Sequence, residues 1–272
     1  MRRLFWLILA FWTIFPFSGC SPGKGGGGGV SVGTSLTQVY FSLEQVTGPT
    51  STAPPLLAPS LLPWVASRDP FIPLQFRGTI ETAILGISQV RLRYTGGSTC
   101  NSSELLEVKA QGPFFFSLTE AVIRPEIPPL PITRSALLCE IRLKGNEGDP
   151  DRPEKGPPFL FLQGTLEDGR GLMVVSSRAE DFKIRWTSQA LTATVQEIRL
   201  RFPYPEWIAF LRASDFNEPD AVAIRDDRYG EVLREILDRL EQSAEGKQGK
   251  GCNPPPQALL EKNPRELCEK EE

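Results

Sequence analysis

Proline and glycine interrupt this chain too often for long helices: of 272 residues, 25 are Pro and 24 are Gly. Between them lie short runs in which apolar and polar side chains alternate with a period of two, the pattern of half-buried strands. A first strand is expected within Ser35 to Val46, although its two faces are poorly separated. Further strands are expected near Gln75 to Thr82, Ser88 to Tyr94, Leu105 to Lys109, Phe114 to Leu118, Leu137 to Lys144, Phe159 to Leu166, Leu172 to Ser177, Phe182 to Trp186 and Leu191 to Phe202. Asp168-Gly169 marks a hairpin between two of them. The run Phe159-Leu160-Phe161-Leu162 has no polar face and suits a strand covered on both sides. In Leu191 to Phe202 the apolar positions change parity, which predicts a β-bulge near Gln196 and Glu197. The fold class is therefore mainly β: an antiparallel β-sandwich, as one large or two small lobes, with a C-terminal amphipathic helix.

That helix is read from Tyr229, Val232, Leu233, Ile236, Leu237 and Leu240, with Asp227 as N-cap and Gly246 beyond its end. Arg234 with Asp238, and Glu235 with Arg239, supply charge pairs on its outer side. A short helix with Trp207 and Leu211 inward fits Pro205 to Leu211. Two segments resist regular structure. Gly48 to Pro73 carries seven prolines among large apolar residues and reads as a strap or a binding loop, and Gly145 to Pro158 reads as a long exposed loop. The resulting organisation is a leader at 1–19, a Gly-rich tether at 20–35, a β-sandwich region at 36–202 containing the strap 48–73, a helical segment at 203–246 and a Cys-stapled tail at 247–272.

One pattern recurs on three expected strands: Gln89-Val90-Arg91-Leu92-Arg93, Glu140-Ile141-Arg142-Leu143-Lys144 and Glu197-Ile198-Arg199-Leu200-Arg201. At strand period its aliphatics point inward and its basic residues outward. If the three share a face, they make a basic stripe able to meet phosphate or carboxylate groups of glycans; otherwise they pair with neighbouring Glu.

The chain contains no histidine. Histidine-dependent triads, His-ligated zinc and imidazole acid–base chemistry are thereby excluded. The formal charge of −3 gives no reason to expect nucleic acid as a partner. Of five cysteines, Cys100, Cys139, Cys252 and Cys268 follow Cys20. Three disulfide connectivities are possible. The sequential one, Cys100 with Cys139 and Cys252 with Cys268, keeps each bridge within one region, and loop closure is worth about 4 and about 3 kcal/mol respectively. A four-thiolate metal site lacks the paired C-x-x-C spacing.

Among oxygen ligands, Asp215, Asn217 and Asp226 fall at positions one, three and twelve of an EF-hand loop. Pro219 and Asp220 occupy the fifth and the glycine positions, and Asp226 replaces the bidentate Glu. Calcium is the one metal this segment raises; turn-forming and helix-capping acids are the other reading. Carboxylate pairs for glycoside hydrolysis cannot be chosen without their separation, so no catalytic residue is assigned.

The amino end supplies an address. Arg2 and Arg3 precede an apolar stretch from Leu4 to Phe15, broken only by Thr13 and followed by Pro16. This is a signal-peptide layout, too short for the roughly 20 apolar residues of a spanning helix. Phe17-Ser18-Gly19-Cys20 resembles the bacterial lipobox, with Phe17 where Leu or Val is most frequent. The resemblance implies diacylglycerol transfer to the Cys20 thiol and cleavage before it, anchoring the protein in a membrane by acyl chains. Ordinary secretory cleavage would instead leave Cys20 a plain thiol. Ser21, rather than Asp, follows the lipid cysteine, which in enterobacterial lipoproteins goes with the outer rather than the inner membrane. Pro22, Lys24 and the run Gly25 to Gly29 make the segment 20–35 a flexible tether of about sixteen residues, reaching on the order of 20 Å.

Gly112 to Leu118, Cys139 to Leu143, the Phe159 to Leu172 hairpin and the acidic lead into the Tyr229 helix look like bacterial envelope lipoproteins with a β-sandwich domain. The resemblance implies a β domain and transfers no catalytic or binding residue. The expected function is a lipid-anchored, non-enzymatic cell-envelope protein for adhesion, assembly or ligand binding, with an envelope protein or glycan as partner. The alternative is a carboxylate-dependent hydrolase of envelope or extracellular glycans.

Overall fold

Alternation along the chain becomes two mixed β-sheets packed over a shared apolar core. The computed structural model describes residues 36–46, 76–148, 157–254, 258–261 and 263–269. The leader, Cys20 with its tether, the strap 48–73 and part of the Gly145 to Pro158 loop lie outside the described residues.

The smaller sheet holds β1 (Leu36–Leu43), β5 (Leu130–Thr133), β11 (Val195–Arg201) and β13 (Glu245–Cys252), in the order β13-β11-β1-β5. β1 runs parallel to β11, with Val39 opposite Gln196 and Phe41 opposite Ile198. Both faces of these central strands are covered. Val39, Phe41, Ile198 and Leu200 enter the main core, whereas Tyr40 and Val195 pack on the other side with Cys252, Cys268 and Leu259. That explains the poorly separated faces of β1. It also corrects the bulge expected in β11, which keeps unbroken register with β1. Parity changes within β11 because Val195 joins the second cluster while Ile198 and Leu200 enter the main core. The irregularity falls opposite, on β13, where Gly249 and Lys250 face the single residue Glu197.

The larger sheet contains β2 (Thr79–Thr95), β3 (Leu106–Ser117), β4 (Val122–Arg124), β6 (Leu137–Gly145), β7 (Leu160–Thr165), β8 (Gly171–Ser176), β9 (Asp181–Ile184), β10 (Gln189–Ala190) and β12 (Ala221–Ile224). Its main path is β10-β6-β2-β7-β8-β12, with β3 also on β2, β4 on β3 and β9 on β6. All pairings are antiparallel except β8 with β12. With β1 and β11 also parallel, the sandwich is mixed rather than purely antiparallel: in both pairs the partners are distant in sequence, so no hairpin dictates their direction.

The segments expected at Gln75 to Thr82 and Ser88 to Tyr94 are one strand, β2, irregular at Ser88. Ala83, Leu85 and Ile87 before that point and Val90 and Leu92 after it all reach the core, so the extra residue keeps one face inward. Ser88 Oγ donates to Gly145 O at 2.8 Å. Leu105 to Lys109 and Phe114 to Leu118 likewise merge into β3. The hairpin between β7 and β8 turns at Gly169, whose φ of 86° favours glycine. Phe161 is only half-buried, so β7 is not fully covered on both faces.

Beyond β11, α1 (Tyr204–Trp207) buries Trp207 completely, and Leu211 follows it into the core. α2 (Gly230–Ser243) buries Leu233, Ile236 and Leu240. Its N-cap is Tyr229, in the left-handed region, and not Asp227, which lies in the turn bridging Arg225 and Arg228. Gly246 belongs to β13, since the chain passes from the helix straight into a strand. The tail is thus part of the sandwich. After β13 come α3 (Ala258–Glu261) and α4 (Pro264–Glu269), and Cys268 of α4 is bonded to Cys252.

Candidate functional site

Two of the three recurring motifs lie side by side, and the third is in the other sheet. On the larger sheet Arg91 of β2 is opposite Lys109 of β3 and Arg142 of β6, and Arg142 is opposite Lys183 of β9. Four basic side chains from four strands thus stand in one row. At about 4.8 Å between strands the row spans roughly 14 Å. The apolar residues between them, Val90, Leu92, Ile141, Leu143, Phe182 and Ile184, are buried, which aims the row away from the core.

Flanking positions add Arg93 and Lys144 to the basic set and Glu107, Glu140 and Asp181 to the acidic set. The face therefore carries six cations against three carboxylates. Glu140 is its hub: its side chain is 6% exposed, and it pairs with Arg142, with Arg93 Nη1 at 3.1 Å and with Lys183 Nζ at 3.7 Å. Burial opposes ionisation of Glu140, but the Arg142 hydrogen bond and the three cations hold its pKa below the usual carboxylate range. The hydrogen bond to Glu140 in turn raises the Arg142 pKa. Arg91 pairs with Asp181. Lys109 and Lys183 extend from the row as its exposed ends.

The third motif repeats the local geometry. Glu197 of β11 accepts from Arg199 Nε at 2.9 Å, from Ser42 Oγ at 2.6 Å and from the Lys250 backbone N–H at 3.1 Å. Burial opposes its ionisation, and these hydrogen bonds override it, so its pKa is also lowered. Gly249 makes room for the carboxylate: a Cβ there would lie 2.3 Å from Glu197 Oε2. Arg201 is bonded to Glu245 at 2.7 Å, and that hydrogen bond is the main cause of the low Glu245 pKa.

The four cysteines of the domain are joined as Cys100–Cys139 and Cys252–Cys268. Asp215, Asn217 and Asp226, by contrast, are not brought together as ligands. Asp215 Oδ2 accepts the Arg212 N–H at 3.2 Å, Asn217 is exposed, and Asp226 accepts the Ser177 N–H at 2.9 Å while pairing with Arg178 at 3.0 Å. No group of three or more Cys, Asp or Glu side chains suited to a metal occurs among the described residues. The EF-hand register fails because β12 occupies the middle of the segment and carries Asp226 away to β8. Arg170 then pins the first half, donating to Ala213 O, Phe216 O and Glu218 O while pairing with Asp168.

No protein-family model matches this chain, and neither a curated protein nor a solved structure matches it.

Proposed function

We propose that this chain is a lipid-anchored, non-enzymatic β-sandwich protein of a bacterial cell envelope, tethered through Cys20, that binds acidic glycans through the row Lys109–Arg91–Arg142–Lys183. The observation that carries the binding role is that in-register row on an outward sheet face. Fixed strand spacing presents cations at a regular repeat, which suits a polymer carrying repeated carboxylate or phosphate groups. The hydrolase reading gains less support. Every carboxyl with a shifted pKa among the described residues, namely Glu140, Asp168, Glu197, Glu218 and Glu245, is shifted downward. A general acid for glycoside cleavage needs the opposite shift.

Two measurements test the two halves. Metabolic labelling with an alkyne fatty acid is expected to mark the wild type and not Cys20→Ala; equal labelling removes the anchor. Immobilised polygalacturonate is expected to retain the protein at low salt and release it as ionic strength rises. An Arg142→Gln/Lys183→Gln variant is expected to lose tenfold or more in affinity, and unchanged retention would refute the row as the binding face.

A further inference from the structure

A cleft of about 260 Å³ opens where β9 meets the ends of α1 and α2, lined by Arg185, Glu206, Trp207, Arg239, Gln242 and Ser243. Its volume lies just under the roughly 300–1,000 Å³ of pockets for drug-sized ligands, so it suits one small unit rather than an oligomer. Arg239 is held from two sides: its Nε donates to Glu235 at 2.7 Å and its guanidinium lies 4.7 Å over the Phe210 ring. The opposite edge of that planar fork keeps its donors for a ligand. Arg185 brings a second guanidinium, its Nη2 3.3 Å from Ser243 O. Trp207 Nε1 donates to Ser243 Oγ at 2.7 Å, and the Ser243 hydroxyl makes only a long 3.4 Å contact to Leu240 O, so its proton can turn to a ligand.

We infer that this cleft binds a single sugar-acid unit, its carboxylate taken by Arg185 and Arg239 and its hydroxyls by Glu206, Gln242 and Ser243. Arg239 is paired with Glu235 and Arg185 lies 4.0 Å from Glu245, so each guanidinium meets the ligand carboxylate with the donors its partner leaves unused. Glu206 sets the class: it accepts hydrogen bonds from hydroxyls and repels a bare anion such as inorganic phosphate. The site uses none of the row residues, so row variants leave it intact and its failure is separable from failure of the polymer-binding reading.

The test is an NMR titration of the full chain in detergent micelles, observing ¹⁵N-labelled indole N–H signals. Glucuronate is expected to shift the Trp207 signal saturably, with glucose and inorganic phosphate each at least tenfold weaker. Arg239→Ala is expected to weaken glucuronate tenfold or more, and Arg142→Gln to leave it unchanged. Because Arg239 packs on Phe210, exposed Gln242 provides a second variant, with Gln242→Ala expected to weaken binding severalfold in an intact fold. A Trp207 signal unmoved by glucuronate, phosphate binding as tightly as glucuronate, or unchanged binding in both variants would each overturn the inference.

Discussion

Glu140 on β6 and Glu197 on β11 begin nearly identical pentapeptides, yet one ends in a displayed cation row and the other in a sealed joint. Locally they match: each carboxylate pairs with the Arg two residues on, along the same strand face. The difference comes from the neighbours. Beside Glu140 stand other basic side chains, from β2 and β9, that remain partly in water. Beside Glu197 stand Ser42 and the backbone of the β13 irregularity, which use the carboxylate as a bracket. Nearly the same five residues therefore make a surface in one sheet and a seam in the other, and the neighbouring strands decide which.

The most forceful way to break this comparison is through the disulfides. Cys139 immediately precedes Glu140, and Cys252 ends the strand that seals Glu197. Replacing Cys100 and Cys139 by Ser is expected to cost about 4 kcal/mol and replacing Cys252 and Cys268 about 3, by urea unfolding without reductant. Only the second pair should raise amide exchange in β13 and β11. Gly249→Ala comes next, at about 1–3 kcal/mol, because its Cβ would strike a pinned carboxylate; stability unchanged to within 0.5 kcal/mol, on the order of ordinary surface substitutions, would show that Glu197 moves freely.

Truncating the acids sharpens the contrast. Glu197→Ala is expected to cost about 2 kcal/mol, since Ser42 Oγ and the Lys250 N–H lose their acceptor, and Glu140→Ala about 1 or less, since its cations turn to water. The pH dependence has one sign for both. Each folded-state pKa lies below the ordinary 4.5, so each carboxylate adds stability above that value and loses it as pH falls through the lower folded pKa. Glu→Gln variants are expected to flatten unfolding curves in that acid window, Glu197→Gln more than Glu140→Gln. Smallest in stability is Arg142→Gln, about 0.5 kcal/mol or less, although polymer retention should fall most there.

Parity shows how much of this was legible. Inward alternation identified the larger sheet because its strands carry one apolar and one polar face. A change of parity, however, has two physical origins that look alike along a chain. At Ser88 it marks an irregularity that keeps Leu85, Ile87, Val90 and Leu92 on one side; in β11 it marks two covered faces, Val195 packed with Cys252 and Ile198 in the main core. Only the identity of the partner strands separates these cases. β12 was illegible because four residues carry only two inward side chains, Val222 and Ile224, and β13 because its glycines leave no apolar alternation to read. The basic motif could be read from residues 89–93 and 140–144, but its continuation to Lys109 and Lys183 depended on register between strands far apart in sequence. The cleft at Arg185 and Arg239 had no sequence signal, being assembled from β9, α1 and α2.

The parallel pairing of β1 with β11 bears on how such a chain is made. Ser42 and Glu197, which hydrogen-bond across that pair, are 155 residues apart. At roughly 5–20 residues per second of synthesis, β1 emerges about eight to thirty seconds before its lengthwise neighbour exists. Its other partner, β5, arrives earlier but covers only four residues of it. Among the described strands, the one completed first is thus among the last to be enclosed, its long edge left open until the far end of the chain catches up.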